Sequence, residues 1–433
     1  MDQLRSVLGL FLLMALAWTL STNRRAVPWR VVIWGTMFQI VVGIFVFLLP
    51  VGGPFFLAVN KIVFSLLDSA SAGTQFLFGR LALPPGTANE QGETSLGFFL
   101  AFQALPTLVF FASLVGLLYH LGIMQLLIRG FSRIFTALMG ISGAESLAAS
   151  SNIFVGVESA LAIRPYLERM TRSELCTVLT AGMATVASTV MGLYVTLLGD
   201  VFPNIAGHLV SASVLSAPAA VVMSKLLVPE DGRPETAGKN VAPVSERASN
   251  WIEATINGAA SGLRLVAGVA ALLLAFLGLV HLVDQIVGGL GGLVNTRAGW
   301  SVDWSLSSLL GYAFYPLTWI LGVATGDVGA CARLIGERTI LTEVPAYQEL
   351  ASLMAGGGIS ARSAVITAYA LCGFAHVPSL AIFVGGISAL APSRTKDLAS
   401  LGFRGLLAAI LATLMTGAVA GAFVSGDTIL GMK

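Results

Sequence analysis

The chain alternates long apolar runs with short polar connections. Stretches free of Asp, Glu, Lys and Arg cover 6–23, 31–60, 94–128, 175–199, 201–224, 265–283, 304–326, 363–393 and 405–426. A helix that crosses a bilayer needs about 20 apolar residues, so each run is long enough or nearly so. The stretch Gly53 to Gly79 carries Lys61 and Asp68 and reads as an amphipathic helix lying at the interface. One polar linker, Pro229 to Arg247, is rich in Pro, Glu and Gly and parts the chain into halves of comparable size.

Those halves contain a weak internal repeat. Gly182-Met-Ala-Thr-Val-Ala-Ser188 interrupts one apolar run and Gly373-Phe-Ala-His-Val-Pro-Ser379 another, with Gly, Ala, Val and Ser in register. Gly costs a helix about 1 kcal/mol and Pro about 3. Paired interrupted helices are the mark of a transporter's binding site, although close helix packing also uses small residues.

Short runs beside acids are the second signal. Glu145 and Glu158 flank Ser146–Val157, a run too short to span, which predicts a re-entrant hairpin turning near Gly156 and leaving at Arg164-Pro165. In the second half the arm 304–326 ends in Ala324-Thr-Gly-Asp327, and Val328–Glu349 then carries Arg333, Glu337, Arg338 and Glu343. This predicts a second hairpin with Asp327 at its tip. A carboxylate at membrane depth is costly unless paired or ligated, so Glu158 and Asp327 are site candidates, the alternative being ion pairs with Arg164 and Arg333. His376 lies in the second interrupted stretch. Asn152 and Thr185 supply neutral oxygens near the first hairpin turn and the first interruption, of the kind a sodium ion takes.

Composition agrees with a lipid-facing surface. The 433 residues are 56% hydrophobic and 11% charged, against roughly 25% charged in soluble domains. A net charge of +2 with no basic stripe speaks against a nucleic-acid partner. Arg24, Arg25 and Arg30 crowd the first short loop, and Arg394, Lys396 and Arg404 the last. Both loops are therefore expected on the cytoplasmic side, with both termini outside. The apolar run after Met1 lacks a cleavage site and reads as a retained first span. Cys176, Cys331 and Cys372 form no CxxC pair and read as buried thiols. Gly140-Ile-Ser-Gly143 has the GxSG form of intramembrane serine proteases, but His120, His208, His281 and His376 offer no base at a convincing spacing. No enzyme is expected.

At these residues the sequence resembles the concentrative nucleoside transporter family, bacterial branch. The likeness runs from Leu20-Ser-Thr-Asn-Arg-Arg25 through Ala104-Leu-Pro-Thr-Leu-Val-Phe-Phe111. It continues in Glu145-Ser146 with Asn152-Ile-Phe-Val-Gly156, Arg164-Pro165 with Met170-Thr-Arg-Ser-Glu-Leu175, and Leu334-Ile-Gly336. Glu343 with Ala346-Tyr347, Ala370-Leu-Cys-Gly-Phe-Ala375, and Gly385-Gly386 with Ala391-Pro392 complete it. The resemblance implies an all-α polytopic membrane protein with eight transmembrane helices, two re-entrant hairpins, interfacial helices and an inverted-repeat transport core. It implies a homotrimer in the lipid bilayer of the inner membrane that moves nucleosides with sodium by an elevator motion, without another cofactor.

Laid on this chain, the resemblance assigns 1–120 to scaffold and interfacial helices and 121–228 to the first half of the transport core. The linker is 229–248, a scaffold helix with an interfacial segment is 249–303, and the second half of the core is 304–433. The sodium residues become Asn152, Val155, Thr185 and Val186. The solute residues become Val157, Glu158, Val190, Asp327, Phe374, His376 and Ser379. Three positions depart from the family pattern: Gly156-Val-Glu158 lacks the polar pair Gln-Thr, Ala324-Thr-Gly-Asp327 replaces Pro-Trp-x-Glu, and His376 replaces an Asn. A same-fold symporter, driven by sodium or protons, for another small polar metabolite is the alternative expectation.

Overall fold

The computed structural model describes residues 2–49, 52–89, 92–156, 159–243 and 248–424. The regular structure among the described residues is helical apart from one isolated bridge, Ala88 to Thr94. The helices are α1 Asp2–Thr19, α2 Trp29–Phe47, α3 Gly52–Phe78, α4 Leu100–Gln103, α5 Thr107–His120 and α6 Ile123–Met139. Next come α7 Gly143–Asn152, α8 Ser159–Ala162, α9 Arg164–Leu167, α10 Arg172–Ala184, α11 Ser188–Leu198, α12 Ile205–Leu227 and α13 Trp251–Ala298. The last six are α14 Leu306–Ile320, α15 Val328–Ile340, α16 Glu343–Ala355, α17 Ala361–Leu371, α18 Val377–Leu390 and α19 Thr395–Phe423.

Seven stretches among the described residues are long and apolar enough to cross a membrane. They lie within 29–47, 56–82, 100–120, 172–198, 205–227, 251–298 and 392–423. The run 304–326 is not among them: its helix α14 stops at 15 residues. The run 363–393 is cut into α17 and α18, each too short alone. Helix α3 is long enough by length and composition. It buries Phe56, Asn60, Ala70 and Thr74 on one face and exposes Lys61 and Asp68, which is the amphipathic division read from the sequence.

Burial separates the helices into two kinds. The most apolar windows of 172–198 and 205–227 are 89% buried and that of α19 83%, whereas that of α13 is 6% buried. The core is therefore α10–α11, α12 and α19, and α13 is peripheral. At 48 residues α13 extends about 72 Å. It meets α5 through Gly258 and Gly262, where an added Cβ would lie 2.6 Å from Ala112 O and from Val109 Cα. Small residues four apart let two backbones approach this closely.

The helix starts are written in the sequence. Ser142 and Glu145 form a capping box on α7, and Thr171 and Glu174 one on α10. Both acids also belong to a buried ionic cluster. Lys225 Nζ lies 2.5 Å from Glu145 Oε1 and 3.1 Å from Glu230 Oε2, and donates to Ser173 Oγ at 2.9 Å. Ser142 Oγ donates to Glu174 Oε1 at 2.6 Å, so the GxSG serine is a helix cap. The linker closes over this end: Gly143 N and Ala144 N donate to Thr236 O at 2.9 Å and Thr236 Oγ1 at 3.0 Å.

The two arginine-rich loops share one face. Thr22 N donates to Leu227 O at the end of α12, and Arg394 Nη1 donates to Met170 O just ahead of α10. The opposite face gathers the chain ends: Arg5 Nη2 donates to Val323 O and Arg362 Nη1 to Val424 O.

Candidate solute and ion site

The short apolar run between Glu145 and Glu158 folds as α7 followed by a turn. The incoming arm α7 is ten residues, all buried, and the chain turns over Ile153–Gly156. The expected solute residues Val157 and Glu158 lie outside the described residues. The end of α7 docks on the break between α10 and α11. Ser188 N donates to Phe154 O at 2.9 Å, and Ser213 Oγ of α12 donates to Ile153 O at 2.9 Å and Val186 O at 3.3 Å. The turn and the break, and with them Asn152, Val155, Thr185 and Val186, are thereby brought together. Thr185 leaves the helix with extended backbone, φ −109° and ψ 162°, its Oγ1 donating to Ala181 O at 2.8 Å.

One atom here is left over. Asn152 Nδ2 donates to Ala148 O at 2.9 Å, while Asn152 Oδ1 is buried with no hydrogen-bond partner. An unsatisfied buried acceptor costs about 1–3 kcal/mol. The turn that follows Asn152 docks at the C-terminal end of α10, whose dipole is negative. An oxygen acceptor and a helix C-terminus suit a small hard cation.

The second break, Cys372 to His376, is reached from another hairpin. α15 and α16 are 13 residues each and turn at Leu341-Thr342. The hairpin tip is therefore Thr342-Glu343, and the sequence-based placement of Asp327 at the tip is corrected. Asp327 sits at the turn between α14 and α15, where its Oδ2 accepts from Ser360 N at 3.0 Å and Ser360 Oγ at 2.6 Å. Ser360 caps α17 on the face of the chain ends, and the 11 residues of α17 separate it from the break, about 16 Å along the axis. Burial raises the Asp327 carboxyl, the hydrogen bonds of Ser360 and Ser363 more than offset this, and its pKa stays below the ordinary value. Its alternative as an ion pair with Arg333 is also not found; Arg333 pairs with Glu349.

The acid that meets the second break is Glu343. Its Oε1 accepts from Tyr194 Oη at 2.5 Å, and its Oε2 lies 3.0 Å from His376 Nε2. His376 is the cap of α18: its Nδ1 accepts from Ser379 N at 3.2 Å, and Ser379 Oγ donates to His376 O at 2.5 Å. With Nδ1 accepting, the ring proton belongs on Nε2, directed at the carboxylate. Gly373 has φ +153°, and a Cβ there would lie 2.6 Å from Ala184 O of the other broken helix. The two breaks thus pack on each other, at a position only glycine serves.

A cavity of about 100 Å³ collects Val190, Glu343, Phe374, His376 and Ser379, with Leu265 and Val269 of α13 as its far wall. It shares Gly156, Thr189 and Leu265 with a larger cavity of about 480 Å³ lined by Tyr119, Arg164, Asn257 and Ser261. Of the expected solute residues, Val190, Phe374, His376 and Ser379 therefore meet at one cavity, and Asp327 does not. Glu343 stands among several charges between 333 and 349, and its one local signal is the Thr342 cap that ends one helix and starts the next. The N-termini of α16 and α18 both point at the cavity and favour oxygen-rich groups.

The chain is similar to known proteins over most of its length. Residues 8–81 and 208–421 match the family models for the N-terminus and C-terminus of Na+-dependent nucleoside transporters, and 101–201 matches one for nucleoside recognition. The putative nucleoside permease NupX of Escherichia coli is 34% identical, covering 98% of this chain and 99% of the relative. Solute carrier family 28 member 3 of Homo sapiens is 36% identical over 97% of this chain, which spans 60% of that protein. CNTnw in an inward-facing substrate-bound state superposes with a TM-score of 0.86 at 35% identity, covering 98% of both chains. These matches run the length of the chain and include every element of the site, so the chain belongs to the concentrative nucleoside transporter family.

Proposed function

We propose that this protein imports nucleosides by symport with sodium. Asn152, the carbonyls at Val155 and Val186, and Thr185 hold the ion. The observation that carries this reading is the unpartnered Asn152 Oδ1, buried where the first hairpin docks on the first break. A bound ion fixes that docking, and the hairpin turn forms the rim of the solute cavity at Gly156. Coupling is then the difference in solute affinity with and without the ion. The sugar hydroxyls are held by Glu343, His376 and Ser379 and the base lies against Val190 and Phe374, with Val157 and Glu158 proposed as further solute residues. Asp327 has no part in binding.

The 100 Å³ cavity is smaller than a nucleoside, so admission requires the Gly156 turn to part from α13, opening toward the larger cavity. In the elevator reading, 121–228 and 304–433 move together, carrying α1 and α2, which are bonded or packed against them, past α3 to α5 and α13. Such a chain has eight crossings, α1, α2, α4–α5, α10–α11, α12, α13, α17–α18 and α19, with α3 lying at the interface. It works as a homotrimer in the inner membrane, arginine-rich loops inside. A second reading, another small polar metabolite as solute, is favoured by Val157 at the position the family fills with a polar pair. Uptake of radiolabelled uridine and adenosine into proteoliposomes, with sodium and proton gradients set independently, tests both. Sodium-driven uptake supports the proposal; absence of uptake of either nucleoside under any gradient ends it.

A further inference from the structure

The two halves of the core repeat one order of elements. α7, a turn and α8–α9 lead to α10, a break, α11 and α12; α15, a turn and α16 lead to α17, a break, α18 and α19. In the first set the last turn of the incoming arm carries Asn152, and a hydroxyl of the closing helix, Ser213, ties the arm to the break. In the second set the last turn of the incoming arm carries Arg338, and the closing helix brings Thr413. Arg338 is 0% exposed. Its Nη2 donates to Ala370 O at 3.2 Å and to Thr413 Oγ1 at 3.1 Å. Ala370 belongs to the last turn of α17, just ahead of the break. The Nε and Nη1 atoms of Arg338 are buried with no hydrogen-bond partner.

A guanidinium buried with most of its donors idle is a poor stabiliser, since an apolar side chain of similar volume would cost less. Its ion-pair partner is also taken: Glu343 acts on it through space but is bonded to Tyr194 and faced by His376. What Arg338 provides is positive charge at a helix C-terminus, where the dipole calls for a cation. The end of α10 has the same polarity and no side-chain cation among its hydrogen bonds. A Cβ at Gly373 would lie 2.6 Å from Ala184 O and 2.8 Å from Thr413 Cγ2, so the two positions flank the close approach of the two breaks.

We propose that Arg338 is a resident cation, taking in the second half of the core the place that the coupling ion takes in the first. This rests on the sodium reading above. The charge at the second break is permanent and covalently held, so only the first break recruits an ion.

The coupling ratio of the wild-type protein is measured in proteoliposomes, from the membrane voltage at which net uridine uptake vanishes at fixed gradients. One charge per uridine is expected, and two overturn the proposal. Arg338→Ala is expected to lower uptake about 10-fold or more, the loss of one charge-assisted contact. Guanidinium ion in the buffer, or high sodium with a steeper concentration dependence, should restore it. Arg338→Lys should keep the wild-type sodium dependence. Unchanged uptake and sodium dependence in Arg338→Met overturn the proposal. So does a loss in Arg338→Ala that neither cation restores, in protein that elutes as the wild type does. If the alanine variant fails to fold, the wild-type ratio and the lysine variant decide. Wild-type uptake indifferent to sodium sinks the sodium reading by itself, without any variant.

Discussion

Two acids compete for the role of sugar ligand, and one pair of substitutions separates them. Glu343→Gln keeps the side chain's size and one oxygen. That oxygen can still accept from Tyr194, whose hydroxyl lies 2.5 Å away. The new amide then faces His376 Nε2 at 3.0 Å, donor against donor, and the charged acceptor offered to the solute is gone. A hydrogen bond to a charged group contributes about 1.5–3 kcal/mol, which is about 10- to 150-fold in affinity. Asp327→Asn keeps an acceptor for Ser360 at the face of the chain ends, and substitutions of that kind stay within about 0.5 kcal/mol, roughly twofold. Equilibrium binding of radiolabelled uridine to purified protein at saturating sodium measures both. Weak binding in Asp327→Asn together with wild-type affinity in Glu343→Gln would refute the placement of the solute against the second break.

Further outcomes follow from the same contacts. Asn152→Ala removes the unpartnered acceptor and should raise the half-saturating sodium concentration about 10-fold, equal to about 1.4 kcal/mol, with little change in maximal uptake rate at high sodium. Lys225→Met leaves Glu145 buried without its cation and should destabilise the protein by about 3–5 kcal/mol. Adding Glu145→Gln should recover part of this, read as melting temperature in detergent. Gly373→Ala places a Cβ 2.6 Å from Ala184 O and should abolish uptake while the protein still reaches the membrane, as a surface-labelling assay would show.

Much of this architecture is legible in the residues. The uncharged runs locate the long helices, because a charge at membrane depth is costly whether the helix faces lipid or the packed core. The short run between Glu145 and Glu158 yields the first hairpin, and Asn152 and Thr185 emerge at its meeting with the broken stretch. The second hairpin is misread for a physical reason. Gly326-Asp327 looks like a break, yet a Gly-Asp pair marks a surface turn as readily as a buried one. The true tip lies inside 328–349, where Arg333, Glu337, Arg338, Glu343 and Glu349 give no apolar periodicity to show which acid turns inward. Pairing in three dimensions decides it: Arg333 takes Glu349 at the surface, and Tyr194 from the other half takes Glu343. No one-dimensional pattern contains that contact.

The segment joining the halves is a working part. Thr236 supplies both its carbonyl and its hydroxyl to the first amides of α7, and Glu230 shares the Lys225 ammonium with Glu145. It behaves as a clasp over the base of the first hairpin. Severing the chain after 243 leaves the clasp with the half it fastens, whereas severing it before 230 unfastens it. The place at which this protein could be divided into two chains is thus set by a threonine and a glutamate in the polar stretch between its halves.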